Sequence, residues 1–233
     1  MCSINHNKKT IFIHIPKTGG SYISEILEKY YGFKTYYLRR PDHKSFCHDS
    51  IKDRDIDTSS KKHENKIHGT LMYYKTSPHI NATMGMTKDK WENYFIFTFV
   101  RNPYDRIVSG WNYCNKYNIP FGNYININFH ANSFDYWHVF MNQLRHLIGN
   151  KGTPNVDYVG KFENLEADLI NILIKIGFNN KDIRHIPKIK NSRTHKNYKS
   201  YYNNNQILEK VNNIISDDLE FLDYAKVYSI TDL

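Results

Sequence analysis

Cysteine is scarce in this chain of 233 residues, and its three cysteines include no Cys-x-x-Cys pair. The scarcity argues against a disulfide framework and a thiolate zinc site, and it favours a reducing compartment. With only 11 glycines and 7 prolines, the chain is neither collagen-like nor of low complexity. No run approaches the ~18 apolar residues of a membrane-spanning helix, so a membrane span is not expected.

Acidic residues are fewer than basic ones, 23 against 32, and the formal net charge at pH 7 is +9. Such an excess predicts an anionic partner. The length corresponds to one domain, residues 1–233, and 40% hydrophobic residues suffice for a globular core. The polar first ten residues contain no apolar leader segment, which predicts a soluble, cytoplasmic protein. The abundance of Asn, Ile, Lys and Tyr is typical of AT-rich genomes and suggests a microbial or viral origin.

Three segments read as a β-strand, a tight loop and an α-helix in succession. Their strands are predicted at residues 11–15, 94–100 and 156–162, and the following helices start near residues 22, 103 and 163. Further helical patterns cover residues 134–147 and 205–224. This alternation predicts an α/β fold of three layers with a central, mainly parallel sheet.

The first of these loops, residues 16–21, reads PKTGGS and has the chemistry of an anion site. Glycines let backbone N–H groups turn toward a ligand at the N-terminus of a helix, where the helix dipole favours negative charge. Lys17 adds a full positive charge, and the hydroxyls of Thr18 and Ser21 are potential donors. The pattern predicts a phosphate or sulfate site, although an ordinary Gly-Gly turn with a solvated lysine would also fit. A Walker A loop is excluded, because its lysine follows the glycines.

The second loop begins at Arg101, directly after the second predicted strand. Asn102 and Pro103 are typical of a helix cap and first turn, and Ser109 follows about two turns into that helix. Because a guanidinium binds phosphate oxygens in a bidentate manner and a serine hydroxyl donates one more bond, Arg101 and Ser109 predict a second phosphate site. The alternative is that Arg101 only pairs with Asp105, four residues ahead.

The two loops together resemble the donor-binding motifs of the carbohydrate sulfotransferases. Residues 12–21, FIHIPKTGGS, resemble the 5′-phosphosulfate loop, and residues 99–109, FVRNPYDRIVS, resemble the 3′-phosphate motif. Residues 159–165, VGKFENL, are similar to a third segment, and residues 221–224, FLDY, to the closing helix of the family. The resemblance implies transfer of a sulfuryl group from 3′-phosphoadenosine 5′-phosphosulfate (PAPS) to a carbohydrate hydroxyl. It also implies a P-loop-NTPase-like scaffold without a catalytic metal, and 3′-phosphoadenosine 5′-phosphate as the product.

The resemblance assigns roles to individual residues. Lys17 would neutralise charge on the leaving 5′-phosphate, and Arg101 with Ser109 would bind the 3′-phosphate. The implied donor-binding residues are Lys17, Thr18, Gly19, Gly20, Ser21, Tyr22, Arg101, Ser109 and Arg193. Arg193 belongs to the basic loop 192–196, for which a merely solvated loop is the alternative.

The acceptor hydroxyl needs a base to take its proton as the new S–O bond forms. His68 is the predicted base, because it stands upstream of the Arg101 motif in a setting where related carbohydrate sulfotransferases carry a catalytic histidine. Thr70 occupies the position at which some relatives have a second histidine. Glu25 on the first helix is the rival base, whereas His14 beside the loop is expected to be a packed core histidine.

Two other functions stay open on the sequence alone. An ATP/Mg²⁺-dependent phosphoryl transferase would also need anion-binding loops, but Lys17 precedes the glycines and Arg101 stands where a Walker B strand would be followed by aspartate. A non-enzymatic, basic polyanion-binding protein fits the charge, yet no common nucleic-acid-binding motif occurs. The expected partners are therefore a nucleotide donor and a hydroxyl acceptor, with no metal and no nucleic acid.

Overall fold

Strands and helices alternate in the computed structural model, which describes residues 1–39, 56–57, 66–67, 70–115, 117–130, 133–148, 154–183, 186 and 197–233. The strands are β1 (Cys2–Asn5), β2 (Thr10–Ile13), β3 (Lys34–Arg39), β4 (Ile56–Asp57), β5 (Lys66–Ile67), β6 (Phe95–Val100) and β7 (Tyr158–Lys161). The α-helices are α1 (Gly20–Tyr31), α2 (Leu71–Thr76), α3 (Pro78–Met84), α4 (Lys88–Asn93), α5 (Pro103–Cys114), α6 (Phe121–Ile125), α7 (Leu165–Lys175), α8 (Asn205–Ile214) and α9 (Ser216–Phe221). The predicted α/β class is confirmed.

The sheet is mixed, with the strand order β4-β3-β1-β2-β6-β7 and with β5 paired to β3. The strands β2, β6 and β7 run parallel to one another. The strands β1, β3, β4 and β5 are joined by antiparallel pairings. The predicted parallel arrangement is therefore confirmed for β2, β6 and β7, and the antiparallel half is an addition that sequence analysis did not foresee.

The antiparallel half starts with a hairpin, because residues 6–9 between β1 and β2 are too few for a crossover between parallel strands. Sequence analysis assigned no strand to residues 2–5, since half of them are polar. In the fold these polar side chains are buried and hydrogen-bonded. The Ser3 hydroxyl donates to Ser24 Oγ at 3.0 Å and lies 3.0 Å from Thr35 Oγ1. A tertiary contact thus compensates for a polar residue in the core.

Helices cover both faces of the sheet. Successive side chains of a strand point to opposite faces. Ile11 and Ile13 of β2 accordingly join one buried cluster, which includes the α2–α4 side chains Leu71, Tyr74, Ile80, Met84 and Trp91. Phe12 joins the other, which includes side chains from β6, α1 and α7, namely Phe97, Phe99, Ile23, Leu27, Leu169 and Leu173. The result is the predicted arrangement of three layers. The loop that follows β2 leads directly into the N-terminus of α1.

The described residues fall into two compact units. The first comprises Met1–Val100 with His146–Ile189 and contains the sheet. The second comprises Arg101–Arg145 with Lys190–Leu233. Its buried cluster is formed by side chains of α5, α6, α8 and α9, among them Tyr104, Ile107, Val108, Leu208 and Val211. A single domain over residues 1–233 stays a prediction.

Two predicted helices of the second unit differ from the observed structure. Residues 134–147 contain a π-helical turn, Tyr136–Phe140, and a 3₁₀ turn, Leu144–His146, in place of one α-helix. The π-helical turn ends at Met141, where the backbone is extended with ψ of 123° and the carbonyl accepts a hydrogen bond from the buried Arg106 Nη2 at 2.6 Å. Residues 205–224 form α8 and α9, which separate at Ile215 with φ of −100° and ψ of 11°.

Within the described ranges, no helix is long and apolar enough to cross a membrane. The same part of the chain contains no group of three or more His, Cys, Asp and Glu side chains arranged to hold a metal ion.

Candidate active site

The loop between β2 and α1, in the first unit, has the geometry of an anion site. It ends at Gly19, and α1 begins at Gly20. N–H groups in the first turn of an α-helix have no partner within the helix, and the helix dipole adds partial positive charge there. The helix α1 is 12 residues long and has no acidic side chain in its first turn. This end of α1 therefore favours a bound anion.

Two residues of the loop have a left-handed backbone conformation. The φ angle is 70° at Lys17 and 80° at Gly19. Glycine adopts this conformation freely, whereas a lysine in it is strained by ~1–2 kcal/mol. Such strain persists only where the surrounding structure enforces it, and it concentrates at functional sites. The position of Lys17 is thus imposed by the loop and not by local preference.

Both glycines of the loop lie against side chains that leave little room for a Cβ atom. A Cβ at Gly20 would lie 1.8 Å from His14 Cδ2, and a Cβ at Gly19 would lie 3.0 Å from the ring of Phe162. His14 is 4% exposed, in agreement with its expected role as a packed core histidine. Phe162 directly follows β7 and belongs to the VGKFENL segment, whose first three residues lie in that strand. The third motif of the sequence therefore supports the loop by packing against it.

The side chains of the loop have different exposures. Thr18 is fully buried, and its hydroxyl donates to the carbonyl of Ile15 at 2.9 Å. A contact between Thr18 and an anion would therefore come from its backbone N–H. Lys17 is half-buried and Ser21 is exposed. The buried hydroxyl of Tyr22 has no hydrogen-bond partner among the described residues, and burial, with a smaller effect of Glu166 and Glu25, raises its pKa.

The second loop opens the second unit with Arg101, which is 9% exposed. Arg101 Nε donates to Asp105 Oδ2 at 2.8 Å, and Nη2 lies 2.6 Å from the same oxygen. The ion pair that was the alternative interpretation of Arg101 is thus present. A guanidinium carries five N–H donors, and the pair with one carboxylate oxygen engages those of Nε and Nη2. The pair fixes the plane of the guanidinium.

The helix that carries Asp105 starts as predicted. Asn102 Oδ1 accepts hydrogen bonds from the N–H groups of Tyr104 and Asp105, at 3.0 and 3.3 Å, and Pro103 is the first residue of α5. Ser109 is half-buried and lies one turn beyond Asp105. Residues four apart on a helix share a face. Ser109 therefore lies on the face of α5 that Arg101 contacts through Asp105.

The backbone of Arg101 is held by the side chain of Gln143. The Arg101 N–H donates to Gln143 Oε1 at 2.8 Å, and Gln143 Nε2 donates to the Arg101 carbonyl at 2.9 Å. Gln143 is fully buried. Sequence analysis missed this residue, because the two positions are 42 residues apart and no local pattern around residue 143 indicates the contact.

The family model that is described as the sulfotransferase family matches residues 2–225. The chain belongs to the sulfotransferase family. The match includes both loops and the VGKFENL segment, so the membership predicted from these motifs is confirmed. Comparison with curated proteins and with solved structures gives no match.

Family membership makes this sulfotransferase a transferase of sulfuryl groups. Of its predicted site residues, Lys17 to Tyr22 lie in the first unit, and Arg101 and Ser109 lie in the second. His68 and Arg193 lie outside the described residues. Glu25, the rival base, is exposed on α1.

Proposed function

We propose that the chain is a PAPS-dependent sulfotransferase that moves the sulfuryl group to a hydroxyl of a carbohydrate by in-line displacement. The observation that carries the proposal is the β2–α1 loop, in which a left-handed Lys17 and a left-handed Gly19 precede the N-terminus of α1. The loop follows one of three parallel strands, as in a P-loop-like scaffold. The family match supports sulfuryl transfer.

The residues of the first unit fit the 5′ end of such a donor. A Cβ at Gly20 would overlap the His14 ring, so the chain passes there only with a bare backbone. A bare backbone lets N–H groups approach anionic oxygens closely. The N–H groups of Thr18, Gly19, Gly20 and Ser21 would bind the phosphosulfate, and Tyr22 would border it.

Lys17 would act on the leaving group. When bound, PAPS supplies an activated sulfuryl group, and negative charge grows on the 5′-phosphate oxygen as the S–O bond breaks. A fixed ammonium beside that oxygen stabilises the growing charge more than the ground state, which raises the rate. The loop imposes the backbone conformation of Lys17, which sets the direction in which its side chain leaves the chain.

The residues of the second unit fit a 3′-phosphate. Arg101 is oriented by Asp105 and held at its backbone by Gln143, and Ser109 supplies a hydroxyl on the same face of α5. A 3′-phosphate distinguishes PAPS from ATP, so these residues would select the donor. Arg193 is proposed as an additional contact to this phosphate.

A general base completes the reaction. We assign it to His68, which would accept the proton of the acceptor hydroxyl as that oxygen attacks sulfur. A histidine suits this role because its ordinary pKa lies near neutrality. If His68→Ala leaves substantial turnover while donor binding is intact, the exposed carboxylate of Glu25 becomes the first alternative.

A cavity in the second unit supports a carbohydrate acceptor. Its volume is about 430 Å³, within the range of ~300–1,000 Å³ typical of small-molecule sites. Phe129 and Phe140 line it and offer apolar faces for a sugar ring, and Arg145 and Lys210 add positive charge. The lining also includes Asn142, whose side-chain Nδ2 donates to Asp217 Oδ2 at 3.1 Å.

Calorimetric titration tests the donor. The protein is titrated with 3′-phosphoadenosine 5′-phosphate and with ATP, each in Mg²⁺ and in EDTA. Tight binding of the bisphosphate that does not depend on metal, with little binding of ATP, is the expected result. Metal-dependent binding of ATP would favour a phosphoryl transferase. If neither nucleotide binds, a basic polyanion-binding protein is favoured.

A second experiment tests the acceptor. Transfer of ³⁵S from labelled PAPS to a panel of neutral and acidic oligosaccharides identifies a substrate. With that substrate, Arg145→Ala is expected to raise the acceptor KM and leave the donor Kd unchanged. Lys226→Ala, outside the cavity lining, is the matched control. Transfer to phenols or peptides alone would contradict a carbohydrate acceptor.

A further inference from the structure

Arg101 lies where the sheet no longer supplies partners for its backbone. The ladder between β6 and β7 ends with Val100, and Arg101 is the next residue. Buried backbone N–H and C=O groups need partners, and here one side chain supplies both. Gln143 accepts from the N–H at 2.8 Å and donates to the C=O at 2.9 Å, which imitates a neighbouring strand.

The orientation of the Gln143 amide is fixed by Asp218 of α9. Gln143 Nε2 carries two hydrogens, and it donates both to the Arg101 carbonyl and to Asp218 Oδ2, the latter at 3.2 Å. A carboxylate only accepts hydrogen bonds, so the amide nitrogen and not the amide oxygen must face Asp218. With the nitrogen placed there, Oε1 faces the Arg101 N–H.

Asp218 also holds the backbone that carries Gln143. Its Oδ2 accepts from the Gln143 N–H and its Oδ1 from the Leu144 N–H, both at 2.9 Å. Asp218 is fully buried, as is Arg106, whose positive charge acts on it across the interior of the second unit. Three N–H donors therefore fix the orientation of this buried carboxylate.

We propose that Gln143 and Asp218 are positioning residues for recognition of the donor 3′-phosphate. Asp218 orients Gln143, Gln143 fixes the backbone of Arg101, and the guanidinium is thereby held for a bidentate phosphate contact. The inference rests on the proposed function, which gives Arg101 that contact. A displacement of about 1 Å is enough to weaken an oriented contact severely, so the backbone anchor matters for affinity.

The test compares two ligands that differ only in the 3′-phosphate. The Kd values of 3′-phosphoadenosine 5′-phosphate and adenosine 5′-phosphate are measured by calorimetry, and their ratio gives the preference for a 3′-phosphate. Gln143→Met keeps the size of the side chain and removes both hydrogen bonds to the Arg101 backbone as well as the one to Asp218. It is expected to reduce the preference by about tenfold, the equivalent of about one charge-assisted hydrogen bond, while the Kd of adenosine 5′-phosphate changes little.

A double-mutant cycle links the effect to Arg101. Because Gln143 acts through Arg101, adding Gln143→Met to Arg101→Ala is expected to reduce the preference no further. Asn212→Leu is the matched control. Asn212 is a buried residue of the same unit, and both polar atoms of its side-chain amide form hydrogen bonds. Its Oδ1 accepts from the Tyr104 hydroxyl, and its Nδ2 donates to the Val227 carbonyl. This variant is expected to keep the wild-type preference.

The outcomes separate this inference from the proposed function. A wild-type protein without preference for the 3′-phosphate overturns the proposed function. A wild-type preference that Gln143→Met leaves unchanged, or an equal loss for both ligands, overturns the positioning role. If Gln143→Met does not fold by circular dichroism, Gln143→Asn replaces it, since an amide one methylene shorter cannot reach both Arg101 and Asp218. It is expected to reduce the preference in the same direction.

Discussion

The imidazole of His14 lies directly against the backbone of Gly20, where an added Cβ would be 1.8 Å from Cδ2 of the ring. His14 follows β2 and Gly20 starts α1, so this contact joins the two ends of the connecting loop. It makes the glycine at this position a packing requirement. The backbone at Gly20 is helical, and a helical backbone by itself would favour alanine over glycine.

Gly20→Ala is therefore expected to lower the free energy of unfolding by about 1–3 kcal/mol, the usual cost of overpacking, and to abolish binding of 3′-phosphoadenosine 5′-phosphate. Urea unfolding and calorimetry measure the two effects. The double variant Gly20→Ala/His14→Ala, in which the ring is removed, is expected to recover part of the binding. No recovery would mean that the ring is not the obstacle.

Lys17→Ala is expected to reduce kcat far more than it weakens donor binding, because the ammonium acts on charge that develops in the transition state. Single-turnover kinetics with labelled PAPS and calorimetry with 3′-phosphoadenosine 5′-phosphate separate the two quantities. Lys175→Ala, on the surface of α7, is a control of equal charge change. Parallel losses of turnover and affinity would remove Lys17 from the transition-state role.

Lys17→Gly tests the strained backbone separately. Alanine and glycine both remove the ammonium, but only glycine adopts a φ of 70° without strain. Lys17→Gly is expected to exceed Lys17→Ala in free energy of unfolding by roughly 1 kcal/mol, with equal loss of turnover. Thermal unfolding of the two variants provides the comparison, and equal stabilities would show that the loop relaxes when the lysine is removed.

Arg101→Ala is expected to weaken binding of 3′-phosphoadenosine 5′-phosphate by about 1.5–3 kcal/mol, the value of a charge-assisted hydrogen bond. Asp105→Asn keeps the positive charge but weakens the pair that orients it, and a smaller loss is expected. Adenosine 5′-phosphate is the control ligand, whose Kd neither variant should change. An unchanged affinity for the bisphosphate in Arg101→Ala would contradict the assignment of its role.

Arg106→Met tests the buried charges of the second unit. Burial raises the pKa of Asp218, and Arg106 opposes that shift. Loss of Arg106 leaves the buried carboxylate without a compensating charge, and a destabilisation of about 3–5 kcal/mol is expected at neutral pH. The variant raises the folded-state pKa of Asp218 further above its unfolded value. The folded state then binds the extra proton, so the deficit shrinks as pH falls through that pKa. Urea unfolding of the variant and the wild type at several pH values measures this difference in free energy of unfolding. A difference that does not change with pH would show that the charge of Asp218 does not cause it.

The elements that sequence analysis predicted well carry their own local signals. Asn102 and Pro103 mark the start of α5, and the structure confirms both the cap and the first turn. The apolar run of residues 94–100 predicts a buried strand, and β6 covers Phe95–Val100. The glycines of residues 19–20 mark the loop before α1, and the structure places the start of that helix at Gly20. Each of these signals depends on residues within a few positions of one another.

The features that sequence analysis missed depend on distant residues. The strand β1 contains the polar residue Ser3, so its sequence does not show the pattern of a buried strand. The partners that allow Ser3 to be buried lie on α1 and β3. In the segment 134–147, predicted as one helix, the carbonyl of Met141 accepts a hydrogen bond from Arg106, which is 35 residues away. The anchor of Arg101 by Gln143 spans 42 residues, and that of Gln143 by Asp218 spans 75.

Local patterns in the sequence were enough to predict the family of this sulfotransferase, because glycine, proline, capping residues and a charged loop act through the local backbone. The contacts that hold the two loops in place depend on the tertiary structure. The antiparallel half of the sheet, the packing of His14 and Phe162 on the two glycines, and the support of Arg101 by Gln143 and Asp218 arise when distant segments bury one another. A buried polar group needs a hydrogen-bond partner, and in these cases the partner comes from a segment that is distant in sequence.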